Sequence, residues 1–170
     1  MKPLVQYGLI VYDCTSYNQL KPIFLVQKNA SRLIFFKKRC FHTEMLFKIA
    51  KVKSIYDLYI AELLLFSIKS VCGKHYIQEF NNMFVRRQVT AMPTRSVTSG
   101  CFQLLDCRSL VNKNSILHRG AVLLNFLIAN GINLSSDKCQ EGQYFEKVLK
   151  ESTKLLSERS YHKTLFKQNV

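Results

Sequence analysis

Residues 54–73 read Ser54-Ile-Tyr-Asp57-Leu-Tyr-Ile-Ala-Glu62-Leu-Leu-Leu-Phe-Ser-Ile-Lys69-Ser-Val-Cys-Gly73, and this stretch decides the fold class. Ser54 and Asp57 have the S-x-x-D spacing of a capping box, in which each side chain satisfies a backbone N–H that the first helical turn leaves orphaned. Gly73 supplies a stop, because glycine takes the left-handed conformation that closes a helix. Eleven of the residues between are bulky and apolar. Ile55, Leu58, Tyr59, Leu63, Phe66 and Val71 cover most of the circumference, so a central helix buried on more than one side is expected. It is too short to cross a bilayer. Residues 55–68 are its most apolar run and carry Asp57 and Glu62, whereas a span needs about 20 apolar residues.

Helical periodicity extends to the N-terminal side. Leu4, Val5, Tyr7, Gly8 and Val11 fit a short helix. Pro22 suits the first turn of a second, over residues 22–36. There Ile23, Val26, Ala30, Leu33 and Ile34 recur at three- and four-residue steps and form an apolar face. Residues 44–50 make a short helix with Thr43 as its N-cap, and residues 76–84 make another.

Beyond residue 85 the pattern breaks. Residues 86–117 mix Thr, Ser, Arg and Asn with β-branched residues, punctuated by Pro93 and Gly100. They read as a loop with short strands at 102–105 and 115–117. Residues 120–129 are apolar and helical in pattern, and 131–140 form a polar linker. The last helix covers 141–158, with Tyr144, Phe145, Val148, Leu149, Leu155 and Leu156 on one face and a favourable Glu146–Lys150 pair on the other. The expected fold is therefore mostly α. Residues 1–84 form a helical bundle, 85–136 a basic irregular segment with a short apolar helix, and 137–170 a C-terminal amphipathic helix.

The chain has 170 residues, 48% of them hydrophobic, which suffices for a packed core. Six Gly and three Pro exclude collagen-like and turn-dense all-β architectures. No leader with a basic start and an apolar run opens the sequence. The six cysteines are thus expected to be reduced thiols in an intracellular protein, cytoplasmic or nuclear.

Charge is lopsided at +14. Residues 21–53 hold nine cations against Glu44 alone, and residues 84–136 hold six against Asp106 alone. Two blocks of one sign point to a polyanionic partner. Lys21, Lys28, Arg32 and Arg39 are spaced by seven, four and seven residues. At about 100° per residue they share one stripe if the helix runs that far, beside the apolar face and suited to phosphates.

Chemistry is harder to find. The sequence has no H-E-x-x-H, Walker loop, G-x-G-x-x-G or G-x-S-x-G. Cys40 and His42, or Cys101 and Cys107, lack the spacing of a tetrahedral zinc site. The eleven acidic residues are scattered, with no Asp-Asp pair of the kind two-metal phosphoryl transfer uses. No catalytic residue, metal, cofactor or small-molecule substrate is expected.

Pro3-Leu-Val-Gln-Tyr7-Gly8-Leu-Ile-Val11-Tyr12 is the first of several short motifs. It resembles the P-x-L-x-Y-G-x-x-V-W helix of non-LTR (LINE-type) retrotransposon reverse transcriptases, and the others follow in an order similar to theirs. The stretch from Leu20 through Pro22, Gln27, Lys28, Ala30 and Arg32 to Ile34 resembles L-x-P-I-x-x-x-Q-K-x-A-x-R-I-I. His42-Thr43-Glu-Met-Leu46-Phe47-Lys48 looks like H-T-x-P-L-F-K, and Ile55-Tyr56-Asp57-Leu58-Tyr59 like V-x-D-L-Y. Thr94-Arg95 resembles the end of Y-N-T-R. Ser115-Ile116 through Gly120 and Asn125 resembles S-I-x-x-x-G-x-x-x-W-N. The chain departs from the pattern at Tyr12 and near Leu124, where the family has Trp. It departs again at Met45, where the family has Pro, and at Leu127-Ile128, which stands where the family has Leu-Pro.

The resemblance implies a thumb and post-thumb region. The family's catalytic carboxylates lie in a palm N-terminal to every motif in the series. It further implies a drifting copy of a 5′-truncated element, non-catalytic and gripping an RNA–DNA or DNA duplex by its backbone. Pattern and resemblance together give Lys21, Gln27, Lys28, Arg32, Lys37, Lys38, Arg39, Arg95 and Arg119 as candidate nucleic-acid contacts. The alternative is a basic helical interaction protein docking on a protein partner or an anionic membrane surface.

Overall fold

In a computed structural model of the chain, the structure describes residues 8–12, 17–81, 83–87, 100–105, 108–132, 134 and 142–158. The fold is mostly α. In chain order the helices are α1 (Leu9–Tyr12), α2 (Tyr17–Ile34), α3 (Thr43–Ile49), α4 (Ile55–Val71), α5 (Leu110–Lys113), α6 (Ile116–Ala129) and α7 (Gly142–Glu158), with a 3-10 turn at Gln78–Phe80. The residues group into two compact units, one within 1–62 and one within 63–161. The division falls inside α4.

α4 forms as its ends dictate. Ser54 N donates to Asp57 Oδ2 at 3.3 Å and Asp57 N to Ser54 Oγ at 3.2 Å, so the capping box is closed in both directions. At the far end Gly73 has φ +63, and Lys74 N donates back to Lys69 O at 2.9 Å. Between these ends Ile55, Tyr56, Tyr59, Ile60, Leu63, Leu64, Ile68, Val71 and Cys72 are buried. Leu58, Ala61, Leu65 and Phe66, on the remaining side, are half-buried, so the helix is enclosed on more than one side, as a mostly apolar circumference requires.

In the first unit, α2 starts at Tyr17, so Pro22 lies inside the helix and not at its first turn. Its missing N–H costs one early backbone bond, to Asn18, and its ring faces solvent. Leu20 is buried, and the Phe24 ring sits 6.3 Å from Phe47 and 4.9 Å from Tyr56. The packed side of α2 thus contains Leu20, Phe24, Gln27 and Ser31. The expected apolar face lies beside that packed side and not on it: Ile23, Val26, Leu33 and Ile34 are exposed, Leu33 by 77%, and Ala30 is half-buried. α3 begins after His42, which caps it without a side-chain bond. Thr43, expected as the cap, is buried within the helix.

Four helices end in the same hydrogen-bonded turn. Lys37 N donates to Arg32 O, Val52 N to Phe47 O, Lys74 N to Lys69 O and Ile132 N to Leu127 O. Each turn places one residue in the left-handed region. In the second unit that residue is Gly73 or Gly131. In the first it is Phe36 (φ 50) or Lys51 (φ 52), at a cost of about 1–2 kcal/mol each, because Cβ crowds the following carbonyl oxygen.

The second unit has one core, in which Leu64, Ile68, Phe84, Phe102, Leu124, Leu127, Leu134 and Val148 participate. The expected helix over 76–84 is reduced to the 3-10 turn. Asn81 accepts from His75 N at 2.9 Å and donates to His75 O at 3.3 Å, closing the chain into a loop. The His75 ring packs 4.5 Å from Phe66 and 5.8 Å from Phe80. The expected strand at 102–105 is a single antiparallel bridge, Arg86 to Phe102, and no strand occurs among the described residues. Asn125 occupies the edge that a further strand would take. Its Oδ1 accepts from Phe102 N at 2.6 Å and its Nδ2 donates to Phe102 O at 3.1 Å. Residues 115–117 are not a strand either. Ser115 caps α6, its Oγ accepting from His118 N at 3.2 Å. On α7, Val148 and Ser152 are buried, while Glu146–Lys150 and Lys147–Glu151 pair at 4.0 Å on the exposed side.

Candidate nucleic-acid interface

The cations of residues 21–53 separate into two kinds. Lys21, Lys37, Lys38, Arg39, Lys48, Lys51 and Lys53 are exposed. Lys28 and Arg32 are half-buried and engaged within the unit. Lys28 Nζ lies 4.3 Å from the centre of the Phe24 ring, a cation–π contact. Arg32 Nε donates to Phe41 O at 3.3 Å, and its Nη1 donates to Asn29 Oδ1 at 3.2 Å, which holds the loop after α2 against the helix. α2 ends at Ile34, so Arg39 lies in that loop and the expected four-membered stripe is interrupted after Arg32.

Gln27 is a brace within the fold. Its Nε2 donates to Lys53 O at 2.8 Å and its Oε1 accepts from Ile55 N at 3.0 Å. Lys53 O can only accept and Ile55 N can only donate, so the amide orientation is determined by its partners. Ile55 N is one of the orphan donors of the first turn of α4. With both ends of its amide occupied by backbone, Gln27 is directed into the fold and not toward a phosphate. Gln27→Ala is expected to lose about 1–2 kcal/mol, the cost of stripping two backbone groups of a partner. A urea titration checks this, and an unchanged midpoint would mean that water replaces the amide without penalty.

Arg119 does not belong to the surface either. It is 4% exposed, and its Nη2 donates to Asn114 Oδ1 at 2.8 Å inside the unit. A guanidinium so placed supports the turn before α6 and is not presented to solvent. Arg95 lies outside the described residues. Arg86, in the second basic block, donates to Leu134 O and covers the Phe102 ring at 5.4 Å.

The exposed candidates that remain are the run Lys37-Lys38-Arg39 after α2 and, elsewhere along residues 21–53, Lys21, Lys48, Lys51 and Lys53. Glu44 is the one acidic residue of that stretch. The loop also carries two rings that charge counting misses. Phe36 is 96% exposed, and Phe41 is partly exposed with Lys37 Nζ 5.5 Å from its centre. Their sequence signal is the aromatic bracketing of the basic run in Phe36-Lys-Lys-Arg-Cys-Phe41.

No group of three or more His, Cys, Asp or Glu side chains gathers as a metal site among the described residues. Cys40, Cys72 and Cys101 are not joined in disulfides. No helix among the described residues is long and apolar enough to cross a membrane. No family model, curated protein or solved structure matches the chain.

Proposed function

We propose that the chain is the thumb and post-thumb region of a LINE-type reverse transcriptase, and that it binds the sugar–phosphate backbone of an RNA–DNA or DNA duplex without catalysing polymerisation. The observation that carries the binding is the placement of charge. Seven cations of residues 21–53 are exposed, with one acidic residue in the same stretch. The ordered motifs support the origin. Several of their residues do structural work that their spacing alone does not reveal: Gln27 braces α4, Ser115 caps α6, and Asn125 clamps Phe102.

Fluorescence anisotropy on a 20-base-pair duplex tests the binding. Backbone contact gives affinities of about 1–100 μM at physiological salt and a linear fall of log affinity with log salt. The triple variant Lys37→Glu, Lys38→Glu, Arg39→Glu is expected to weaken binding on unrelated sequences alike. It should also flatten the salt slope by about 0.9 per lost contact. Lys147→Glu with Lys154→Glu should do little. Equal losses from both sets would reduce the binding to diffuse attraction toward a chain of net charge +14.

One observation favours a second reading. One exposed strip of α2 displays Ile23, Val26, Leu33 and Ile34, and a phosphate backbone makes no use of aliphatic side chains. An interaction protein docking through this face would bind with little salt dependence, since burial of apolar area is not screened.

A further inference from the structure

We infer that Phe36 is a stacking platform for an unpaired nucleobase, so the basic loop after α2 prefers single-stranded nucleic acid, or a frayed duplex end, to continuous duplex. The inference rests on the nucleic-acid reading above and moves the preferred ligand of this loop from the continuous duplex to the single strand or frayed end beside it.

Three observations converge on the ring. Phe36 occupies the left-handed position of the turn that ends α2, with φ 50. The same turn ends α4 and α6 with Gly73 and Gly131, and α3 with Lys51, so the backbone has no need of an aromatic side chain there. The ring is 96% exposed and gains almost nothing from packing. A strained residue without an internal reward points to an external one. The ring is followed directly by Lys37, Lys38 and Arg39, all exposed, and Arg32 holds Phe41 O so that the second ring closes the loop. An aromatic face beside several cations is how sequence-tolerant proteins hold single strands. Every base offers a π-face to the ring, and the flanking phosphates meet the cations. Continuous duplex hides its base faces and offers only phosphates.

The test is Phe36→Gly in the full chain, measured by anisotropy on a labelled 12-nucleotide DNA of mixed sequence and on the matching blunt 12-base-pair duplex. Glycine relieves the backbone strain, so the thermal midpoint should stay or rise, and any loss of binding is not unfolding. Single-strand affinity should fall about tenfold, the factor one base on one ring carries. Duplex affinity should change less than twofold, and Phe36→Trp should keep single-strand affinity. Unchanged affinity on both ligands overturns the stacking role and leaves the backbone reading intact. Equal loss on both also overturns it, since the ring would then only shape the loop. Reduced binding to vesicles of three parts phosphatidylcholine and one part phosphatidylserine, with oligonucleotide binding unchanged, overturns it in favour of a lipid surface. The backbone reading fails by a different route: the triple variant Lys37→Glu, Lys38→Glu, Arg39→Glu would leave both nucleic acids bound as before.

Discussion

Leu64→Asp is expected to abolish the cooperative thermal transition. Leu64 is fully buried, in the core that Ile68, Leu124 and Leu127 share. Truncation to alanine at such a site costs about 2–5 kcal/mol through lost transfer energy and the cavity left behind. Aspartate adds a carboxylate without a partner, a further penalty of several kcal/mol. The sum rivals the whole stability of a domain, about 5–15 kcal/mol. Phe66→Asp should be milder, because Phe66 is half-buried and its ring packs on His75 and Phe80 at one side of the unit. Circular dichroism melts of the two variants check the order. A Leu64→Asp chain that melts like the parent would show that α4 is peripheral.

Gly120→Ala should destabilise the second unit, against the sign that helix propensity alone gives. Gly120 sits inside α6, where replacing glycine by alanine ordinarily gains about 1 kcal/mol. Here a Cβ would stand 2.6 Å from Phe84 Cζ and 2.6 Å from Ser67 Oγ. Neither neighbour yields easily. Phe84 is buried and meets Phe102 edge-on at 6.4 Å, and the Ser67 hydroxyl is tied to Leu63 O at 2.8 Å. Overpacking of this kind costs about 1–3 kcal/mol, so against the propensity gain a net loss of up to roughly 2 kcal/mol is expected in urea titrations, and more for Gly120→Val. The contact can be isolated by a cycle with Phe84→Leu, whose smaller side chain makes room and should reduce the penalty of Gly120→Ala. If Gly120→Ala raised the midpoint, α6 would not approach α4 this closely.

What can be read from sequence is local. The Ser54–Asp57 box and the Gly73 stop lie within a few residues of the bonds they make, so α4 is legible almost to the residue. α2 shows where periodicity loses information. Its apolar residues run round most of the helix, and Ile23, Val26, Leu33 and Ile34 keep helical spacing although the packed side is that of Leu20 and Phe24. Short segments depart from expectation where one side chain outcompetes the pattern. Asn81 folds 75–81 into a loop, and the Ser115 hydroxyl starts a helix where Ser115-Ile116-Leu117 reads as a strand. For the candidate interface, the charge of Lys37, Lys38 and Arg39 and its exposure follow from a basic run in a loop. The inward positions of Gln27 and Arg119 do not, because their partners, Ile55 and Asn114, are defined only by the folded chain.

The outward aliphatic face of α2 bears on how the chain behaves in bulk. Its colloidal stability at low ionic strength rests on mutual repulsion between molecules of charge +14. Added salt shortens the reach of that repulsion to about 8 Å at 0.15 M and about 3 Å at 1 M, while kosmotropic anions strengthen the attraction between apolar strips. Sulfate buffers should therefore salt the chain out well before chloride at equal ionic strength, and Val26→Lys or Leu33→Lys should restore its solubility.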